Sequence, residues 1–226
     1  MTTPMKLMKN QQSGFTLVEI AIVLVIIGLL LGGILKGQEL INSAKVKNLA
    51  QDFKTIPLYI YGYQDRFKAL PGDDPRVVTN VPGATLAAGT VGNGVIDGSW
   101  NSTAVTEESA LFWQHVRLAN FAPGPTSTTD ANYFPTNVDS GRMGIQSGAT
   151  SPIIGLRGTY IFCSSGILGK FASQLDTTLD DGNTATGSIM AANIPTGSTA
   201  PAAPETNQGA TPTLNVASSY TVCMGF

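Results

Sequence analysis

Residues 20–35 contain no charged or hydrogen-bonding side chain, and the five residues before them, Phe15-Thr16-Leu17-Val18-Glu19, add a single carboxylate to the same run. As a helix, residues 15–35 span about 32 Å against a bilayer hydrocarbon core of about 30 Å, so one complete crossing is expected. An acid in such a helix carries a penalty of roughly 2.5–3.5 kcal/mol near its centre and less towards an end, and so asks for a function and a partner. Ahead of the run, residues 1–14 are polar with Lys6 and Lys9 as their only charges, which predicts a cytoplasmic N-terminus and export of everything beyond Lys36. A removable secretory signal needs a small-residue boundary after the apolar run. Asn42-Ser43-Ala44 is a poor one, whereas Gly14 is a clean boundary in front of it.

Lys9 to Gly14, the Phe-Thr-Leu-Val-Glu that follows and the long apolar stretch together resemble the class III signal of type IV pilins and type II secretion pseudopilins. The resemblance covers residues 6–68. It implies that a prepilin peptidase cuts after Gly14, that the new terminal Phe15 is N-methylated, and that Glu19 guides subunit addition by pairing with the Phe15 ammonium of a neighbour. The implied partners are that peptidase and methylase, other pilin subunits and an inner-membrane assembly platform. These proteins often carry a helix-breaking proline early in the mature spine. Here the first proline after Gly14 is Pro57, leaving Gly32, Gly33 and Gly37 either as sites where the spine stretches or as close-packing positions in lipid.

The expected organisation is a cleaved leader at 1–14, a helical spine at 15–68 that is transmembrane over 15–35, and one exported head at 69–226. The expected fold class is α+β, the spine packed on a C-terminal antiparallel sheet. Charged residues make up only 12% of the 226, consistent with an exported, turn-rich surface. Losing Lys6 and Lys9 with the leader takes 13 basic residues to 11 against 15 acidic, a net charge of −4 that does not indicate nucleic-acid binding.

Beyond Leu35 the helical period becomes amphipathic: Val46, Leu49, Phe53, Ile56, Ile60, Tyr63 and Phe67 alternate spacings of three and four along one seam. Pro57 removes one helical hydrogen bond, and the spine should end near Leu70-Pro71-Gly72. Residues 92–98 read as a tight hairpin, too poor in acids for a calcium loop. Residues 106–120 read as a short helix capped by Thr106, with His115, the one histidine, packed or on the surface. Strands are expected at 153–163 and 214–222, a short helix at 167–179, and a mobile exposed loop at 195–212. Cys163 and Cys223, the only cysteines, are expected to pair in an oxidising compartment, closing a 61-residue loop.

Asp180, Asp181 and Asn183 around Gly182 offer hard oxygen ligands, and pseudopilin heads resemble this in carrying a calcium loop; a plain helix-ending turn is the alternative. No cofactor is required, and calcium is the one candidate. A lone His115 allows no Ser-His-Asp arrangement, and no phosphate loop or cysteine–histidine metal spacing is present, so the motifs support no enzyme. The expected function is a structural subunit of a type IV pilus, inserted in the bacterial inner membrane and polymerised through its N-terminal helix. One alternative is a type II secretion pseudopilin acting as a periplasmic piston, and another is a membrane-anchored binding module that never polymerises. The cysteine pair and long head lean towards the pilus, the acidic loop towards secretion.

Overall fold

The computed structural model describes residues 16–226 except 196, 210 and 211. By contacts the chain divides between Ser43 and Ala44. Helix α1, Leu17–Phe67, supplies both units.

In the first unit every described side chain up to Lys36 is exposed. A helix apolar all round needs lipid or other helices about it, and this one is long and apolar enough to cross a membrane.

The second unit begins with the amphipathic half of α1, whose seam lies inward: Val46, Leu49, Phe53, Ile56, Ile60 and Tyr63 are buried, and the helix runs on through Pro57. It ends one residue before Lys68, which takes a left-handed φ of 54° and returns its N–H to Gln64 O at 2.8 Å. There follow α2 (Val77–Asn80), α3 (Glu108–Leu118), β1 (Met143–Ser147), β2 (Tyr160–Leu168), α4 (Gly169–Leu179), β3 (Ile189–Ala192) and β4 (Ser219–Gly225). The strands form one antiparallel sheet in the order β1-β2-β4-β3, so the last strand enters between β2 and β3. The architecture is α+β and pilin-like: a long N-terminal apolar helix and a C-terminal four-stranded antiparallel sheet.

Both faces of the sheet are covered. One receives the α1 seam together with α3 and α4, and Phe53 meets Phe162 edge to face with centroids 4.9 Å apart. On the other, Ile161, Cys163, Met190 and Cys223 are covered by Trp100, Ile153 and Leu156 from loops. Gly144 permits that cover to close, because a Cβ there would stand 1.9 Å from Trp100 O. Lys45 of α1 is ion-paired with Asp139.

Several local expectations change. Residues 92–98 form no hairpin. The N–H groups of Gly92, Asn93 and Gly94 instead converge on the Asp73 carboxylate, 3.2 Å from Asn93 and 2.7 Å from Gly94, because three successive amides satisfy a buried acid better than a two-stranded ribbon would. The cap of α3 is Glu107 rather than Thr106, without a side-chain bond to the helix amides. β2 starts at Tyr160, not 153, since residues 153–157 are used to cover the second face. β4 runs from Ser219 to Gly225, a turn occupying 216–218. Part of the 195–212 segment lies along the sheet: Ala202 bridges Ile153, Pro204 bridges Ala192, and Glu205 N–H reaches Ala191 O at 2.8 Å.

Candidate functional site

The start of α1 satisfies itself. Glu19 Oε2 accepts the Thr16 N–H and the Thr16 hydroxyl, both at 2.8 Å, and the Glu19 N–H donates to Thr16 Oγ1 at 3.3 Å. This is a reciprocal capping box, in which two otherwise orphaned amides of the first turn are paired and the acid sits at the positive end of the helix dipole. Thr16-x-x-Glu19 ahead of an apolar run is the sequence sign of such a box. Gly14 and Phe15 lie outside the described residues.

In the head, α4 ends in a concentration of acids. Asp176 and Asp180 stand four apart, on one helical face, and a ligand oxygen from each of Asp176, Asp180 and Asp181 lies within 4.8 Å of the others. Asp180 Oδ2 accepts the N–H groups of Ser188 and Ile189 at 2.6 and 2.8 Å, folding the following loop back on the helix end. Gly187 makes that possible: its φ is 82°, and a Cβ there would come within 2.1 Å of Asp180 Oδ2. Asp181 is held by the Asn183 N–H and the Thr186 hydroxyl, each at 2.8 Å. Asn183 Oδ1 is engaged by the Thr206 hydroxyl at 3.0 Å and the Ala185 N–H at 3.2 Å. The third carboxylate at the cluster is therefore Asp176, which the sequence presents as an ordinary helix residue. It is wholly buried, and neither of its oxygens has a hydrogen-bond partner among the described residues. Burial pushes its pKa up to about 7, opposed by the nearby Gly182 N–H and reinforced by the charges of Asp181 and Asp180.

Two buried ionisable groups hold the loops around α3. His115 Nδ1 accepts the Gly72 N–H at 2.8 Å and Nε2 lies 2.8 Å from Thr85 O, so the neutral Nε2–H tautomer satisfies both. Burial lowers its pKa, which keeps the ring neutral. With both nitrogens bound to backbone, His115 has no lone pair free for a metal and no proton in play. Glu108 accepts the Asp97 N–H at 2.7 Å through Oε2, while Oε1 is buried without a partner among the described residues. Burial raises its pKa to about 7, opposed by the Asp97 N–H and reinforced by the charges of Asp73 and Asp97. Cys163 and Cys223 face each other across β2 and β4 and are disulfide-bonded.

A capped, lipid-compatible helix preceded by a glycine boundary is the pattern on which comparison with known proteins turns. Residues 9–35 match the prokaryotic N-terminal methylation motif. The chain carries a class III prepilin signal. That signal is found on type IV pilins and pseudopilins, and it implies processing by a prepilin peptidase and membrane anchoring. No curated protein and no solved structure matches the chain. The prepilin signal points to a structural role.

Proposed function

We propose that this chain is a structural subunit of a type IV pilus. It is cut between Gly14 and Phe15, methylated on Phe15, held in the inner membrane by residues 15–35 with its head exported, and extracted by an assembly platform into a fibre whose core is built from α1. The observation that carries this reading is the match of the methylation motif to residues 9–35, whose helical part is apolar on every side from Ile20 to Leu35. Moving such a helix from lipid to neighbouring spines changes little hydrophobic burial, so packing and the Glu19 carboxylate must supply specificity. Intact-mass measurement of the chain from its native membrane should give a polypeptide starting at Phe15 with one added methyl group, and electron microscopy of sheared cells should find it in fibres. A chain that keeps its Met1, or is cut beyond Leu35, defeats the proposal.

One observation favours the secretion branch as a second reading. The acids at the end of α4 suit calcium, which takes 6–8 oxygen ligands. Asp176, Asp180 and Asp181 would supply carboxylates, with Asn183 beside them and water or backbone completing the shell. Full-length chain stripped of metal in detergent should bind calcium calorimetrically, with Asp176→Asn weakening binding about tenfold or more. No heat and no change in melting temperature at millimolar calcium returns the segment to a turn.

A further inference from the structure

The half of α1 in the head presents two more faces besides its buried seam. On one, Gln51, Asp52, Thr55 and Tyr59 join Trp113 and Pro123 around a cavity of about 300 Å³, the lower end of the size of ligand sites and sized for one side chain rather than a cofactor. Asp52 is half-buried there and accepts no hydrogen bond from any described residue. Desolvation pushes its pKa up to about 6. Arg117 also lines the cavity, but its Nε is held by the Pro123 carbonyl and its Nη1 by the carbonyls of Pro125 and Tyr133, and it gives Asp52 no bond. A carboxylate at an aromatic-walled opening, lacking a donor of its own, is complementary to an alkylammonium group.

The other face is the exposed stripe Lys47, Lys54, Leu58 and Tyr61, spaced seven, four and three. It is largely open: Leu58 is 64% and Tyr61 53% exposed, with Tyr61 meeting the Phe226 ring edge to face, centroids 6.5 Å apart. Lys47 and Lys54 form no ion pair among the described residues, whereas Lys36, Lys45 and Lys68 do.

Resting on the polymerisation reading, we propose that the Asp52 cavity of one copy receives a lysine of the Lys47–Lys54 stripe of the next, a second electrostatic docking point in addition to Glu19. The occupant is a second copy of this chain because the Asp52 carboxylate and the ammonium groups of Lys47 and Lys54, none of them paired among the described residues, are complementary in charge and are carried by the same helix, so every copy brings both. Donor stripe and acceptor cavity lie roughly 120° apart around α1 at about 100° per residue, so the contact is heterologous: each copy uses one face towards the copy before it and the other towards the copy after. A heterologous contact that does not close into a ring propagates as an open helical filament.

The test uses full-length chain in membranes and in sheared fibres, treated with a zero-length carbodiimide, with covalent dimers digested and sequenced by mass spectrometry. A link joining Asp52 to Lys47 or Lys54 of another copy is expected. Asp52→Asn should abolish the link and lower fibre yield about tenfold or more, yet leave the melting temperature of the unassembled chain unchanged or higher, a split that a merely structural aspartate would not produce. Combining Asp52→Lys with Lys47→Asp and Lys54→Asp should restore fibres. Wild-type fibres without such a link, or full fibre yield from Asp52→Asn, overturn the inference and leave the pilus reading standing. A link in membranes from cells that make no fibres supports the contact and defeats polymerisation, and absence of both defeats both.

Discussion

Replacing Glu19 by glutamine separates its place in the capping box from the docking role proposed for it. In the described chain the carboxylate closes the capping box with Thr16. The amide oxygen that Glu19→Gln introduces can accept the same Thr16 N–H, so the helix start survives while the charge is lost. Thr16→Ala does the reverse, losing the cap at about 1 kcal/mol and keeping the charge. If Glu19 pairs in the fibre with the Phe15 ammonium of a neighbour, neutralising it leaves that ammonium unpaired in a low-dielectric core, a loss of about 3–5 kcal/mol. At about 1.4 kcal/mol per tenfold, assembly then falls about a hundredfold or more. Glu19→Gln, Glu19→Ala and the more lipid-soluble Glu19→Leu should therefore all be cleaved and inserted normally and yield few fibres, with Thr16→Ala reducing yield far less. The assay is quantitative immunoblotting of sheared fibres against membrane fractions, in cells lacking the native copy. Wild-type yield from Glu19→Gln or Glu19→Leu refutes charge pairing, and fibre-free membranes of wild type as well would favour the anchored binding module.

Glu108 makes the head sensitive to pH. Its folded-state pKa of about 7 stands above the ordinary 4.5, so the native state holds this proton more tightly than the unfolded chain. The contribution is fully present below pH 4.5 and is lost as pH rises through about 7, with the gap corresponding to about 3 kcal/mol. Glu108→Gln should raise the melting temperature at about pH 8 and flatten its fall between about pH 5 and 8; an unchanged profile sinks the assignment. His115→Phe leaves the Gly72 N–H and Thr85 carbonyl without partners and should destabilise the head by about 2–4 kcal/mol in denaturant titrations. Reducing the Cys163–Cys223 disulfide opens a 60-residue separation and should lower stability by about 4 kcal/mol on the chain-entropy account; thiol titration of unreduced protein should find none free.

How much of the fold is legible in the sequence depends on the range of the interactions concerned. The α1 seam rests on spacings of three and four and α4 on Phe171, Leu175 and Leu179 four apart, each within one segment; the seam forms where the period places it, and α4 starts at Gly169 rather than 167 because Ile167 and Leu168 end β2. β1 and β3 carry no comparable signal. β1 is five residues with Gly144 inside it, and β3 is four residues ending in Ala191-Ala192, all buried on both sides of the sheet. With both faces covered, the alternation that marks a half-exposed strand is gone. The same second cover displaces the expected start of β2, because Ile153 and Leu156 have strand-like chemistry but serve as the lid on Ile161 and Cys163.

The candidate sites follow the same division, and Asp176 shows why. Its i, i+4 relation to Asp180 is written in the sequence, yet nothing local distinguishes it from a solvated helix acid. What makes it unusual is the loop beyond Gly187, folded back by the Asp180 bonds to Ser188 and Ile189 and tied in place by Asn207, which donates to Ser173 Oγ at 2.6 Å and Gly182 O at 3.1 Å. Those contacts bring together segments up to 34 residues apart and remove Asp176 from water without giving it a donor among the described residues. A buried carboxylate in that state must either hold its proton or receive a cation. Glu19 is the opposite case: its partner Thr16 is three residues away, so its role at the helix start needs no tertiary structure and is legible in the sequence.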